Sequence, residues 1–238
     1  MIRTIVRGAV LVALTASAAH TATPFGGDDA GFIPPDAPKG PIAKCENGVA
    51  KAGGKLVAAI LKCHASRVSG KFADDAAEDA CEQTARAKFA ATKTTGCAPC
   101  TGVLTGGTIE PLVDGANSAV YCTATGTPFG GDDAGNIPPD APKGPLTKCA
   151  NGVAKATGKL VGTILKCHIG RVSGKLADDT AEETCETTAK MTFTTKTKTT
   201  GCDSCVNLTT LAGLAEVGAD SSGAYCASPS GAFLDAGR

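Results

Sequence analysis

The sequence predicts an all-α protein built from two tandem, disulfide-stapled helical-hairpin units, each with a short third helix. Three observations carry this prediction: a long internal repeat, helical spacing of small and apolar residues, and twelve cysteines at repeated positions. Much of the 42% hydrophobic content is alanine and Trp is absent, so few side chains bury a large area. Each unit of about 80 residues would be marginally stable on such a core, which favours covalent staples.

The repeat sets the domain organisation. The segment from Thr23 to Cys45 recurs from Thr127 to Cys149, an offset of 104 residues, and each copy contains six cysteines. We divide the chain into a signal peptide (residues 1–18), two Gly/Pro/Asp-rich spacers (19–40 and 123–144), two helical units (41–122 and 145–226) and a tail (227–238). The spacers contain few helix formers and are expected to be extended or turn-like.

The N-terminus has the pattern of a secretory signal. Arg3 and Arg7 are followed by an apolar stretch from Gly8 to Thr15 and by the small residues Ala16-Ser17-Ala18. The stretch is too short to span a bilayer, and no second hydrophobic segment would anchor the chain. We therefore expect a secreted protein, extracellular or periplasmic, without a transmembrane anchor.

Each unit begins with a long helix, expected from about residue 42 to residue 68 in the first copy. Its small and apolar residues follow a heptad pattern in two rows. The rows are Ile42, Val49, Leu56 and Cys63, and Cys45, Ala52 and Ala59. Gly53 and Gly54 weaken the middle of the helix by about 1 kcal/mol each relative to Ala.

A second helix is expected to begin at a capping box in each copy. Asp75 with Glu78, and Asp179 with Glu182, have the acid spacing of that motif. Both helices would end near the Thr/Lys-rich run that precedes the CxxC motif. Shorter third helices are expected over Glu110–Val120 and Leu208–Ala219.

The cysteine spacing predicts disulfides between antiparallel helices. Cys45 and Cys63 are five helical turns apart and so share one face. In a hairpin folded near residue 72, Cys63 and Cys81 lie at equal distances from the bend, which predicts Cys63–Cys81 and, in the second copy, Cys167–Cys185.

The disulfide pairing of the outer cysteines has two alternatives in each unit. Cys45 would pair with Cys97 or Cys100, and Cys149 with Cys202 or Cys205. The remaining CxxC cysteine of each unit would then tie down its third helix through Cys122 or Cys226. In an exported protein, an even number of cysteines at repeated spacings indicates disulfides before metals or reactive thiols.

The runs GGDDAGFIPPD, KLVAAILKCH, GCAPC and AVYC also resemble a cysteine-rich repeat of predicted secreted proteins from environmental bacteria. The resemblance covers nearly the whole mature chain. That family has no assigned activity, so the resemblance implies a repeat protein that is exported and carries over no functional residue.

Cys63-His64 and Cys167-His168 are the most conspicuous candidates for chemistry. Neither is preceded by the second cysteine of a C-x-x-C-H haem motif. A thiol nucleophile would need a free thiolate, which a disulfide removes. We therefore expect a structural cystine beside a surface histidine in each copy.

The CxxC pairs and the Asp-rich spacers suggest metals only weakly. Cys45, Cys97, Cys100 and Cys122 could hold zinc in a reducing compartment, but export favours disulfides. The spacers together contain seven residues with side-chain oxygens that calcium could use, although not at the spacing of an EF-hand loop. These donors are Asp28, Asp29 and Asp36 in the first copy and Asp132, Asp133, Asn136 and Asp140 in the second.

The charge distribution argues against nucleic acid. Lys+Arg and Asp+Glu both number 23, and no aromatic residues are interleaved with the basic ones for base stacking. The basic residues of the first long helix face an acidic start of the second, which indicates two solvated faces of opposite sign. They are Lys44, Lys51, Lys55, Lys62, Arg67 and Lys71.

We expect a secreted, non-enzymatic structural or binding module that its disulfides make resistant to proteases. The alternative is a secreted protein that binds a metal ion or a small apolar ligand, between the helices or in the Asp-rich turns. From the sequence we assign no catalytic residue, no metal ligand and no cofactor. The partner is unknown, and self-association or binding to cell-surface components would fit.

Overall fold

The computed structural model describes residues 23–27, 29–92, 96–97, 110–219 and 224–225. The predicted signal peptide, Cys100, Cys226 and the tail at 227–238 lie outside the described residues. Six helices are present in the described part: α1 Pro41–Val68, α2 Asp75–Ala90, α3 Glu110–Val120, α4 Pro145–Val172, α5 Asp179–Lys196 and α6 Leu208–Ala219. Both third helices have the predicted bounds. No helix of this part is both long and apolar enough to cross a bilayer.

The Asp-rich spacers are not simple linkers, so the all-α prediction holds only for the main elements. Each spacer contains a two-stranded antiparallel hairpin: β1 Thr23–Gly26 with β2 Asp29–Ile33, and β3 Thr127–Gly130 with β4 Asp133–Ile137. Gly26 and Gly130 have φ near +100°, a conformation that favours glycine and closes each tight turn. The glycines on which the prediction of an extended or turn-like spacer rested therefore lie at the turns of the hairpins.

The aspartate that ends each spacer caps the next long helix. Asp36 accepts hydrogen bonds from the backbone N–H groups of Ile42 (2.7 Å) and Ala43 (3.0 Å) at the start of α1. Asp140 does the same for Leu146 and Thr147 at the start of α4. These carboxylates satisfy helix N–H groups that have no partner inside the helix.

The second helices begin one residue earlier than the capping-box prediction implies. Asp74 and Asp178 are the N-cap residues, and their side chains accept hydrogen bonds from the N–H groups of Ala77 and Ala181. The predicted boxes at Asp75/Glu78 and Asp179/Glu182 are therefore wrong. Glu78 and Glu182 are fully buried and do not return to a cap.

The helices α1 and α4 pack directly against each other at glycines. A Cβ atom placed on Gly158 would lie 3.3 Å from the Cα atom of Ala58, and one on Gly54 would lie 3.3 Å from the Cα atom of Gly162. The core on either side of this contact is aliphatic: Leu56, Val57, Ile60, Leu61, Val153, Leu160, Val161, Ile164, Leu165 and Leu211. Gly54, which sequence reasoning treated as a weak point of the helix, allows the two long helices to approach closely.

The hairpins pack across the repeat. Phe25 of β1 contacts His168 of α4, with ring centroids 5.6 Å apart, and Phe129 of β3 contacts His64 of α1 at 5.9 Å. The first hairpin therefore covers the second copy's helices, and the second hairpin covers the first copy's. The two copies are interlocked rather than arranged as two independent units in series.

Five disulfides connect these elements in the described chain. The two inner staples, Cys63–Cys81 and Cys167–Cys185, are confirmed. The outer alternatives are resolved as Cys45–Cys97 and Cys149–Cys202.

The prediction for Cys122 is wrong. It bridges to Cys205 of the second copy, 83 residues away, and not to a CxxC cysteine of its own unit. The cause is the packing of α3, which lies against α6 and against the hairpin between the two copies. This packing brings its C-terminal end to the second copy.

Candidate metal centres

The two histidines beside the inner cystines are fully buried, with 0% exposure each. The expectation of surface histidines is therefore wrong. Cys63 and His64 are adjacent on α1, so their side chains leave the helix about 100° apart. Cys63 contacts α2 through its disulfide, while His64 lies under the second hairpin.

Around His64, three carboxylates converge from three different elements. Its Nε2 atom lies 2.7 Å from Oε1 of Glu82 on α2 and 3.0 Å from Oδ1 of Asp133 on β4. Asp114 of α3 completes the group, and ligand atoms of all four residues lie within 4.8 Å of one another. We call His64, Glu82, Asp114 and Asp133 centre 1.

An equivalent group surrounds His168. Its Nε2 atom lies 2.7 Å from Oε1 of Glu186, 3.1 Å from Oδ1 of Asp29 and 3.9 Å from Oε1 of Glu182. We call Asp29, His168, Glu182 and Glu186 centre 2. The fourth ligand position differs between the centres, since α3 supplies Asp114 in centre 1 and α5 supplies Glu182 in centre 2.

Each centre contains residues from both repeat copies. Centre 1 takes its aspartate from β4 of the second copy, and centre 2 takes its aspartate from β2 of the first copy. The hairpins thus carry one ligand position each and also cover the centre. The exchange of hairpins therefore determines which copy's hairpin aspartate each histidine contacts.

A phenylalanine and a tyrosine exclude water from the hairpin side of each centre. In centre 1, Phe129 packs on Tyr121, whose hydroxyl donates a 2.8 Å hydrogen bond to Oδ1 of Asn151. In centre 2, Phe25 packs on Tyr225, whose hydroxyl donates to Oδ1 of Asn47. Both tyrosines therefore satisfy their polar ends away from the centres and leave only ring surface against the hairpin.

The cations beside the two centres are placed differently. Arg86 contacts Oε2 of Glu82 at 2.9 Å and Oδ2 of Asp114 at 3.4 Å, so its guanidinium touches two residues of centre 1. At the equivalent position on α5, Lys190 pairs with Glu216 of α6, which is not part of centre 2.

Burial and proximity shift the pKa values at both centres. Burial raises the pKa of Glu78 to about 8 and of Asp114 to about 7, with nearby carboxylates adding to the effect. Burial alone would lower the pKa of His64, but contacts with Asp133 and Glu82 outweigh it and raise the pKa to about 10. His168 shows the same balance with Asp29 and Glu186. Asp114 in centre 1 and Glu182 and Glu186 in centre 2 have raised pKa values, so their ionised forms are costly unless a cation lies nearby.

Many of these buried oxygen atoms have no hydrogen-bond partner. Both carboxylate oxygens of Glu182 are in this state, as are Oε2 of Glu186, Oδ1 of Asp114 and Oδ2 of Asp29 and Asp133. A buried carboxylate without a partner costs several kcal/mol, so such groups are normally paired, protonated or bound to a metal. In each centre, one ligand atom from each of the four residues lies within 4.8 Å of the others.

The donor set fits a first-row divalent transition ion. Imidazole and carboxylate together suit Mn²⁺, Fe²⁺ or Zn²⁺, whereas calcium prefers oxygen ligands only. Two ligands at right angles around an ion with 2.1 Å bonds are about 3.0 Å apart. The contacts of 2.7–3.1 Å between Nε2 and its nearest oxygens therefore admit such an ion with shifts of a few tenths of an ångström.

The structure places the residues singled out from the sequence in different environments. Asp29 and Asp133 join the centres, Asp36 and Asp140 cap helices, and Asp132 lies 3.7 Å from Arg86 on the surface. Asp28 lies outside the described residues. The proposed cysteine–zinc set is excluded, because Cys45, Cys97 and Cys122 are all in disulfides.

Sequence reasoning missed Glu82, Glu186 and Asp114. A usable signal was present, because Glu78/Glu82 and Glu182/Glu186 are i, i+4 pairs on one helix face in both copies. Asp114 gave no signal, since the second copy has no aspartate at the matching position.

Comparisons with known proteins return no relative. No family model matches the chain, and neither a curated protein nor a solved structure is similar to it. The functional argument therefore depends on the geometry of the two centres.

Proposed function

We propose that this protein binds divalent transition-metal ions at two buried centres and acts outside the cytoplasm. The observation that carries the proposal is the convergence of a histidine and three carboxylates twice in one chain, with buried oxygens that lack a hydrogen-bond partner. This is the alternative considered from the sequence, with the ions placed at the Cys-His and Asp-rich motifs together.

Sequestration or carriage of the ion fits better than catalysis. The histidine and glutamates of both centres are fully buried, and an aromatic residue covers each imidazole. A catalytic metal keeps a coordination position open to substrate, whereas a closed site serves binding or structure. The protein is therefore proposed to be non-enzymatic.

Export is part of the proposal and is supported by the disulfides. Five bridges join the described elements, and such bridges persist in oxidising compartments. A secreted metal binder would also gain resistance to unfolding from them, because each limits the freedom of the unfolded chain. The sequence pattern of residues 1–18 agrees with this route.

The test is the number of ions bound by the oxidised protein. Native mass spectrometry after incubation with Mn²⁺, Zn²⁺ or Ca²⁺ is expected to show two transition ions per chain and no calcium. Glu82→Gln and Glu186→Gln, which keep side-chain size and remove a charged ligand, should each leave one ion. Glu46→Gln is the matched control, since Glu46 is equally buried and unpartnered but lies outside both centres.

Two results would contradict the proposal. One is the absence of any bound transition ion in the oxidised protein at micromolar metal. The other is retention of two ions by the Glu82→Gln/Glu186→Gln double variant. In either case the stapled structural module, with no resident ion, would be the better description.

A further inference from the structure

A groove between α4 and α5 lies beside centre 2 and shares no lining residue with it. It encloses about 1140 Å³, a volume large enough for a small-molecule ligand. Its floor comes from small and apolar residues of both helices, including Ala156, Leu160, Ala189 and Phe193. The groove runs from Pro145 to Thr163 along α4, which is about 27 Å at 1.5 Å per residue.

Small side chains keep this groove open. A Cβ atom placed on Gly152, at the groove wall, would meet no atom within 4 Å. Three of the six threonines along the walls are less polar than their hydroxyls suggest, because those hydroxyls are already hydrogen-bonded. Thr163, Thr184 and Thr188 each donate to the backbone carbonyl four residues earlier, at 2.7–2.8 Å. The groove is therefore apolar along most of its length.

The charge at the rim of the groove has one sign. Lys148, Lys159, Lys196 and Lys198 line it, and no carboxylate of the described residues does so. Three of these lysines lie at one end, where α4 begins and α5 ends. A ligand that matches this arrangement has a long apolar chain and an anionic group at one end.

We propose that the α4/α5 groove binds a free long-chain carboxylate. The acyl chain lies over Ala156, Leu160 and Ala189, and the carboxylate lies among Lys148, Lys196 and Lys198. This activity is separate from metal binding, because no residue of centre 2 lines the groove, and Thr184 and Thr188 of its wall lie on the far side of α5 from Glu182 and Glu186.

The experiment is displacement of a fluorescent fatty acid from the full oxidised chain by palmitate and by hexadecanol. Palmitate is expected to compete at least about tenfold better than the alcohol, because only the acid has a charge for the lysines. Gly152→Leu should abolish binding by filling the groove. Gly213→Leu is its control, since Gly213 on α6 also has open space at its Cβ position but lies away from the groove.

A second pair of variants tests the charge. The triple variant Lys148→Gln/Lys196→Gln/Lys198→Gln should weaken palmitate binding by about tenfold or more. The control variant Lys155→Gln/Lys166→Gln should not weaken it, because both lysines are exposed on α4 outside the groove. The proposal is overturned if the probe does not bind, if hexadecanol competes equally, or if Gly152→Leu leaves binding unchanged. Binding to anionic vesicles that survives Gly152→Leu would likewise assign the lysines to a membrane surface and overturn it.

Discussion

Glu46 shows how strongly a single residue can differ between the two copies. It lies on α1 where the second copy has Ala150, it is fully buried, and neither of its carboxylate oxygens has a hydrogen-bond partner. Burial, with a smaller effect from Asp36, raises the pKa of Glu46 from 4.5 to about 8. The first copy therefore carries a destabilising carboxylate that the second lacks.

Glu46→Gln is expected to change how stability depends on pH. A glutamate with a higher pKa in the folded than in the unfolded protein binds a proton on folding, so its effect on stability becomes less favourable as pH rises from 4.5 to 8. Relative to wild type, the variant should gain roughly 2–4 kcal/mol of unfolding free energy between these two pH values. Urea unfolding of both proteins at each pH measures this gain. The same difference in unfolding free energy at both pH values would mean that Glu46 is not desolvated.

At the scale of elements, the hairpins decide which histidine receives which aspartate. Asp29 lies next to His168, and Asp133 lies next to His64, so each hairpin serves the other copy's helices. A within-copy arrangement would reverse both assignments. The two can be distinguished in a background that retains only one centre.

In a His168→Ala protein, the remaining ion should be held at centre 1. Adding Asp133→Asn is then expected to weaken the binding of that ion by about 10–100-fold, because the substitution removes a ligand. Adding Asp29→Asn should have no effect, because centre 2 is already lost. Titration of both double variants with Mn²⁺ measures these affinities. A loss of affinity with Asp29→Asn and none with Asp133→Asn would show that each hairpin packs on the helices of its own copy.

The contact of α1 with α4 makes two glycines on different faces of α4 respond to substitution in opposite ways. Gly158→Ala would place a Cβ atom 3.3 Å from the backbone of α1 and is expected to destabilise the protein by about 1 kcal/mol or more. Gly152→Ala, on the same helix with open space, should stabilise it by about 0.5–1 kcal/mol. Chemical denaturation of both variants checks this, and equal stabilisation would mean that the helices do not touch at Gly158.

For the whole molecule, the Cys122–Cys205 bridge fixes the two copies to each other. Cys122 ends the α3 segment of the first copy, and Cys205 precedes α6 of the second. By the repeat, the equivalents of Cys205 and Cys122 are Cys100 and Cys226, which lie outside the described residues. We predict from this equivalence that Cys100 and Cys226 also pair, as a second link between the copies.

Peptide mapping of the non-reduced protein is expected to find peptides that join Cys122 to Cys205 and Cys100 to Cys226. Replacing Cys122 and Cys205 together by serine should cost about 2–4 kcal/mol of stability, because a long loop of the unfolded chain is released. A map that links Cys122 to Cys97 or Cys100 would contradict the interlocked arrangement.

The sequence by itself determined the helices, the inner staples and the bounds of the two third helices. Helical periodicity and turn residues are local, so the bounds of α3 and α6 and the Cys63–Cys81 pairing could be obtained from spacing alone. The same local reasoning placed His64 on the surface, because adjacency to a cystine gives no information about what covers the other side of the helix.

Only the tertiary structure decided which parts of the two copies meet. The exchange of hairpins, the Cys122–Cys205 bridge and the two centres all depend on contacts between residues that are distant in sequence and nearly identical in both copies. Since the repeat makes within-copy and cross-copy partners chemically alike, pattern and spacing cannot distinguish them. The packing of α1 on α4 distinguishes these partners, because it sets which helices each hairpin can reach.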